Sequence, residues 1–380
     1  MNIALIHDHL NQIGGAEKVL KSFTRLYPQA PVFTLLYDPQ IRQNFFSETE
    51  VIGSYLQRKK LAHKYFKWFL PLMPTAIESF NLKGYDVVLS DSSAFSKGII
   101  TDIEAMHICY CHTPTRYLWS DSWEYIIELE KSNYLIKKIL PAVLTYLRMW
   151  DYQAAQRVDK FIANSRFVAK RIKRFYHRDS TVIYPPVETK NYRLISEKQK
   201  YFVIMARLRP YKRVNLAIEA FNEMRLPLKI IGGGWEAKYL KKRANQNIEF
   251  LGEILDPKQK NIILGGARAL IHPQEEDFGI SAVEAMACGT PVIAYGKGGI
   301  LETVVPNKTG VFFEDPSWES LADAVVHFKD STFDYQAIKA HAEQFNEDRF
   351  NRQIKEFVNR EYQNFTEQLK ISCQSRDTLF

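Results

Sequence analysis

The stretch HPQEEDFGISAVEAMACGTPVIA, His272 to Ala294, decides how the second half of the chain folds. The preceding residues RALIHP read as the end of a buried strand, and Glu276–Gly279 as a turn. ISAVEAMAC follows as a helix whose start falls near Gly279–Ser281, and TPVIAYG resumes as a strand. Strand, turn, helix and strand in that order form a unit of a parallel α/β sheet. Inside it, Glu276 lies in the loop and Glu284 on the first turns of the helix. A glutamate pair with no other context is surface charge. The Phe-Gly between the two and the ACGTPVIA behind them argue for a site instead. Both carboxylates can converge on one ligand, with the N–H groups near Phe278, Gly279 and Ile280 between them. A helix N-terminus suits phosphate or hydroxyl oxygens, and Glu284 suits paired ribose hydroxyls.

The same alternation extends in both directions. YFVIMARL, LPLKIIGGG, IEFLGEI and ARALIHP read as strands, with VNLAIEAFNEM as a helix between the first two. In the first half, NIALIH is a strand, DHLNQIGG a loop and AEKVLKSFTRLY a helix with Val19, Phe23 and Leu26 at helical spacing. YDVVLSDSS and MHICYCH are further buried strands, and VDKFIANS leads into the helix RFVAKRIKRFY. Pro185 and Pro186, followed by a polar stretch, mark the domain boundary. The expected architecture is two consecutive Rossmann-like α/β domains, 1–188 and 189–344, facing a central cleft that receives the ligand at the carboxyl ends of the strands. A long helix is expected over 345–365, with Phe350, Ile354 and Phe357 on one face, and the last fifteen residues show no motif.

Three other groups carry chemistry. In MARLRPYKRVNLAIEAF, Arg207 closes a strand and Lys212 stands at the start of the next helix, a guanidinium and an ammonium that can clamp a diphosphate. Gly14 and Gly15 follow the first strand, and Gly232–Gly234, with Gly233 at the centre, end another. Bare backbone there can approach a phosphate or sugar, although neither run is a dinucleotide-binding GxGxxG. His112 ends a strand and is followed by Thr-Pro at the edge of the expected cleft. His7 and His9 form a polar cluster at a strand end but have no carboxylate or cysteine at metal-ligand spacing.

Composition bounds the partners. The 380 residues carry a formal charge of +8, which suits an anionic ligand or surface. Cys109, Cys111, Cys288 and Cys373 show neither a disulfide framework nor a metal-type pairing, which points to a reducing cytoplasm. No apolar run reaches the roughly 20 residues of a membrane span. LQRKKLAHKYFKWFLPLMP (56–74) combines Arg58, Lys59, Lys60, Lys64 and Lys67 with Tyr65, Phe66, Trp68, Phe69 and Leu70. It suits either peripheral docking on the cytoplasmic face of an anionic membrane or the basic rim of a core helix.

Taken in order, GGAEKV, HTPTRYLW, ANSRFVAKRI, IYPPVE, ARLRPYKRVNLAIEAF, IIGGG, FLGEI and the opening stretch resemble the family 4 retaining glycosyltransferases, of GT-B fold. The likeness spans nearly the whole chain, and HTPTRYLW is most similar to the mannosyl- and rhamnosyl-transferring branch. It implies transfer of a hexose from a nucleotide-sugar, GDP-mannose or a UDP-sugar, to a glycan or lipid-linked acceptor in cell-surface polysaccharide or glycolipid synthesis. No metal is required and no cofactor beyond the sugar nucleotide. By that likeness Glu284 holds the ribose, Glu276 faces the transferred sugar, and the Phe278 and Gly279 amides meet sugar hydroxyls. Arg207 and Lys212 clamp the diphosphate, Gly15 lets the first loop approach it, and His112 lies beside the reacting face of the sugar. The family sends its C-terminal helix back to the N-terminal domain, which fits 345–380. Arg213 replaces the family's usual glycine, which puts the shape of that loop in question. The rival readings are a sugar-nucleotide epimerase and a nucleic-acid-binding protein. The basic helix RFVAKRIKRFYHR carries no recognition motif, so no nucleic-acid partner is expected.

Overall fold

The computed structural model describes residues 1–58, 66–123 and 134–377. They divide into two compact units, Met1–Tyr184 with Asn351–Phe380, and Pro185–Phe350.

The first unit is built on a parallel sheet of seven strands: β1 Ile3–Leu10, β2 Val32–Tyr37, β3 Val51–Gly53, β4 Val87–Ser92, β5 Met106–Cys111, β6 Lys160–Ala163 and β7 Ser180–Val182. Their order is β3-β2-β1-β4-β5-β6-β7, so the winding reverses between β1 and β4. That reversal opens a crevice at the carboxyl ends of these two strands, where such sheets bind ligands. The strand β1 is longer than the run NIALIH suggests. It continues through Asp8 and His9 to Leu10, in register with β2 at His9–Leu36 and Leu10–Tyr37. Polar residues persist in this buried strand because their side chains find partners there. The Asp8 carboxylate accepts the N–H groups of Ser93 and Ala94 on Oδ2 at 2.7 and 2.8 Å, and of Phe95 and Ser96 on Oδ1 at 2.7 and 2.6 Å.

Helices cover this sheet with apolar faces of ordinary spacing. The helix Gly15–Leu26 buries Val19, Leu20 and Phe23, and Arg166–Tyr176 buries Val168, Ile172 and Tyr176. Ser165 caps the second of these, its hydroxyl accepting the Val168 N–H at 3.0 Å. The helix Tyr134–Gln156 places Leu140, Leu144 and Leu147 in the core, each burial stabilising by roughly 1.5–3 kcal/mol.

The second unit repeats the plan with six parallel strands: β8 Phe202–Met205, β9 Leu228–Ile231, β10 Ile248–Gly252, β11 Leu270–His272, β12 Val292–Tyr295 and β13 Gly310–Phe313. The order β10-β9-β8-β11-β12-β13 puts its reversal between β8 and β11. The opening stretch of the sequence is therefore β11, a turn, the helix Ile280–Ala287 and β12.

The C-terminal helix is one element, Glu347–Asp377, and not a helix to 365 followed by a featureless tail. It begins in the second unit, and from Asn351 onward it belongs to the first. Phe350, Ile354, Phe357 and Val358 are buried, and Glu361 pairs with Lys160 of β6 at 3.0 Å. Of the basic-aromatic segment 56–74, residues 59–65 lie outside the described residues, including Lys59, Lys60, Lys64 and Tyr65. Leu56, Leu70 and Met73 pack into the first unit's core.

Candidate functional site

In the second unit the candidate residues gather at the sheet's reversal. Arg207 follows β8, and Lys212 ends the short 3-10 helix Pro210–Lys212. The Lys212 ammonium is bonded to the Glu276 carboxylate, which arrives from the loop after β11. The next residue, Arg213, takes the left-handed conformation (φ 50°, ψ 33°) that a glycine would adopt most cheaply. The loop therefore keeps the shape the missing glycine had put in question. The Arg213 guanidinium lies 5.3 Å from the Tyr295 ring centroid, a contact that offsets part of the strain.

Behind this pair runs a polar ladder that the sequence did not single out. Gln274 donates through Nε2 to His272 Nε2 at 3.1 Å and lies 3.4 Å from Glu276 Oε1. Burial, then the Lys212 charge, lowers the His272 pKa to about 3, so the ring is neutral. Gln274 is buried and its Oε1 has no hydrogen-bond partner among the described residues. The signal was available, since His272, Gln274 and Glu276 alternate along one extended segment.

Gly279 is the N-cap of the helix Ile280–Ala287, at φ 94°, and supplies no capping side chain to the first amides. Phe278 turns its ring inward, edge-on to Phe345 at 5.5 Å, so only its backbone can serve a ligand. Glu284 is almost fully buried on the helix. Tyr192, 92 residues earlier, hydrogen-bonds its carboxylate; burial first, and the Glu284 charge second, raise the tyrosine's pKa. No spacing rule links Tyr192 to Glu284. The glycine run Gly232–Gly234 packs on the exit of β8: a Cβ at Gly232 would meet the Ala206 carbonyl oxygen at 1.9 Å, and one at Gly234 that of Leu208 at 2.3 Å. The Leu208 N–H donates to the Gly233 carbonyl at 2.8 Å. These glycines fix the loop that bears Arg207.

In the first unit, Gly14 caps the helix Gly15–Leu26 and donates its N–H to Glu17 Oε2 at 2.7 Å. His112 directly follows β5, with its side chain 12 % exposed. Its ring Nε2 bonds Asp91 Oδ1 of β4, while Asp91 Oδ2 meets His7 Nδ1 of β1 at 2.8 Å. His7 Nε2 in turn stands 3.9 Å from Glu17 Oε1. The histidine cluster near the N-terminus thus has carboxylate partners, supplied by β4 and the first helix.

The rest of HTPTRYLW is held from below by Asp151. That carboxylate accepts from Thr115 at 2.8 Å, Trp119 Nε1 at 2.7 Å and the Tyr176 hydroxyl at 2.8 Å, and it pairs with the buried Lys97 at 2.5 Å. Thr115 and Trp119 thus brace the loop that follows His112.

Two parallel doubly wound units, with charged and glycine-rich strand ends at each reversal, make up the GT-B fold. The model for glycosyltransferase family 4 matches residues 13–191, and that for glycosyl transferases group 1 matches 188–352. The chain belongs to the family 4 glycosyltransferases; it is a hexosyltransferase that moves a sugar from a nucleotide-sugar donor. Among curated relatives, the alpha-1,3/1,6-mannosyltransferase ALG2 of Rhizomucor pusillus is 23% identical, over 86% of this chain and 84% of that protein. ALG2 of Dictyostelium discoideum is 26% identical, over 85% and 88% respectively. Among solved structures, Anabaena Alr3699/HepE in complex with UDP-glucose superposes with a TM-score of 0.70 at 19% identity, over 94% of this chain and 99% of that one. Sucrose-phosphate synthase from Thermosynechococcus elongatus gives 0.73 at 18%, over 96% and 99%. Among the described residues no helix is long and apolar enough to cross a membrane.

Proposed function

We propose that the protein transfers mannose from GDP-mannose, with retention, to a glycan or lipid-linked acceptor in cell-surface polysaccharide or glycolipid synthesis. The reading rests on one observation: the Lys212–Glu276 pair stands at the reversal of the second sheet, with Arg207 and the Glu284 helix at the same strand ends. Mannose as the sugar is supported by the mannosyltransferase relatives. A UDP-sugar is the second reading, favoured by the UDP-glucose held by HepE.

As the bond from the anomeric carbon to the diphosphate breaks, positive charge develops on the sugar and negative charge on phosphate oxygens. Arg207, Lys212 and the amides at Gly279 and Ile280 stabilise that negative charge, the term that usually dominates in such sites. Gly14 and Gly15 let the first loop's backbone approach the diphosphate, and Gly233 belongs to the run that fixes the Arg207 loop. Glu284 accepts the ribose hydroxyls, Glu276 and the Phe278 amide hold the sugar, and His112 lies beside its reacting face. The acceptor attacks from the face the diphosphate leaves, and a departing phosphate oxygen takes its proton. In this reading residues 1–188 bind the acceptor, 189–344 bind the donor and 345–380 return to the first domain. Basic residues in 56–74 dock on anionic lipid, which liposome flotation with and without anionic lipid tests; no binding in either case sinks the docking.

The deciding experiment is a panel of GDP-, UDP-, ADP- and dTDP-sugars scored for thermal stabilisation and slow hydrolysis. GDP-mannose is expected to lead on both measures. Stabilisation by none of them would overturn the donor reading.

A further inference from the structure

The first unit buries more ionisable groups around His112 than contact with a sugar needs. Glu17, His7 and Asp91 are each at least nine-tenths buried, and none has a part in the steps above. They form a continuous chain from the glycine loop to His112. The Gly14 N–H donates to Glu17 Oε2 at 2.7 Å, and Glu17 Oε1 faces His7 Nε2 at 3.9 Å. His7 Nδ1 bonds Asp91 Oδ2 at 2.8 Å, and Asp91 Oδ1 bonds His112 Nε2. The register of the sheet makes this possible, since β1 and β4 pair at the reversal with His7 opposite Asp91.

The rest of His112 is equally constrained. Its N–H donates to the Ser92 carbonyl at 2.8 Å, and its own carbonyl accepts from Asn164 Nδ2 at 2.9 Å. Its ring stands edge-on to Tyr110, with centroids 5.3 Å apart. Every described contact of the ring is therefore made through Nε2 or the ring face.

Protonation states follow from the neighbours. Burial opposes a charge on His7, but bonds to Asp91 and Glu17 carry its pKa up to about 10, so it is an imidazolium with two donors. Burial would raise the Asp91 pKa; the hydrogen bonds from His112 and His7, with the charge of His7, outweigh that and hold it low. An ionised carboxylate only accepts, so a neutral His112 must carry its proton on Nε2.

We propose that Asp91, backed by His7 and Glu17, is the positioning residue of the site: it locks the His112 ring through Nε2 and leaves Nδ1 as the hydrogen-bond acceptor offered to a hydroxyl of the transferred sugar. The inference rests on the reading of His112 as a sugar-facing residue. Histidines oriented by a buried carboxylate act this way in other enzyme classes, where the isosteric amide inverts the tautomer at little structural cost.

The test combines histidine 15N NMR with kinetics of GDP-mannose hydrolysis. Wild-type His112 is expected in the Nε2–H tautomer, and Asp91→Asn, whose amide can donate, is expected to move the proton to Nδ1. The same variant should lower kcat about 100-fold with KM for the donor changed less than about three-fold. Wild-type His112 in the Nδ1–H form overturns the proposal without any variant. An unchanged tautomer or an unchanged kcat in folded Asp91→Asn overturns it too. His112→Ala separates the two readings. If it turns over as fast as wild type, the sugar-facing role of His112 fails, whereas the tautomer result still reports on Asp91.

Discussion

The two units use one topology and treat charge in opposite ways. At the first reversal, between β1 and β4, the ionisable groups are buried and compensated within the unit: Asp8 by four amides, and His7 by Asp91 and Glu17. At the second, between β8 and β11, the Lys212–Glu276 pair sits nearer the surface. The Lys212 and Glu276 side chains are 15% and 21% exposed, and the buried histidine is neutral. In the second unit the partly exposed Lys212–Glu276 pair is the one our proposed function offers to a diphosphate. A carboxylate that is fully satisfied inside the protein has little left to offer a ligand, so equal positions in equal folds need not have equal functions.

The sharpest challenge to that contrast is Asp8→Ala, which orphans four amides, those of Phe95 and Ser96 buried and those of Ser93 and Ala94 partly so. It is expected to destabilise the protein by about 3–5 kcal/mol in urea unfolding. A loss below about 1 kcal/mol would mean that the first cluster is not a structural element. In the second unit the cost should instead appear in catalysis. Arg207→Ala should lower kcat/KM about 10²–10³-fold in donor turnover, with little change in the unfolding midpoint. The two glutamates should then separate. Glu284→Gln weakens nucleoside diphosphate binding about 10- to 100-fold by calorimetry, whereas Glu276→Gln mainly slows transfer. Equal and negligible effects of both would refute their assignment.

Dependence on pH gives a smaller test with opposite signs. The His7 pKa is raised from 6.5 to about 10, so its contribution is complete below pH 6.5 and is lost as the pH climbs to about 10. The His272 pKa is lowered from 6.5 to about 3; an unfolded chain takes up a proton there that the folded one refuses. Its contribution is present above pH 6.5 and is lost as the pH falls toward about 3. Each slope is at most about 1.4 kcal/mol per pH unit. Thermal unfolding against pH should show His7→Gln flattening the alkaline limb and His272→Gln easing the acid limb. The smallest effect belongs to Arg213→Gly. Relief of the left-handed backbone, roughly 1 kcal/mol, is nearly cancelled by loss of the Tyr295 contact. A large destabilisation would assign Arg213 a further role.

Much of the second unit was legible in the residues. Strand, turn and helix around Glu276 and Glu284 are local, and local periodicity is what a chain displays. Arg207 and Lys212 stood out because a strand end and a helix start flank them within a dozen residues. The first unit's cluster was not legible. His7 and His9 could be seen, but Asp91 lies 84 residues from His7, and only strand pairing brings them together. Tyr192 on Glu284 and Asp151 beneath HTPTRYLW were hidden for the same reason. The C-terminal helix is a different case: Tyr362, Phe365 and Leu369 continue its apolar spacing past Glu361, and the backbone stays helical to Asp377.

The sequence by itself determined two α/β units, the strand ends that carry glycine and charge, and the family to which the chain belongs. Those features depend on neighbours within about twenty residues, whose hydrophobic period and turn chemistry are written locally. Only the tertiary structure decided which carboxylate serves which histidine, that Arg213 keeps the loop of a glycine, and that Asp8 is a structural hub. Hydrogen-bond geometry is set across paired strands, and residues far apart in the chain acquire a distance only when the sheet forms.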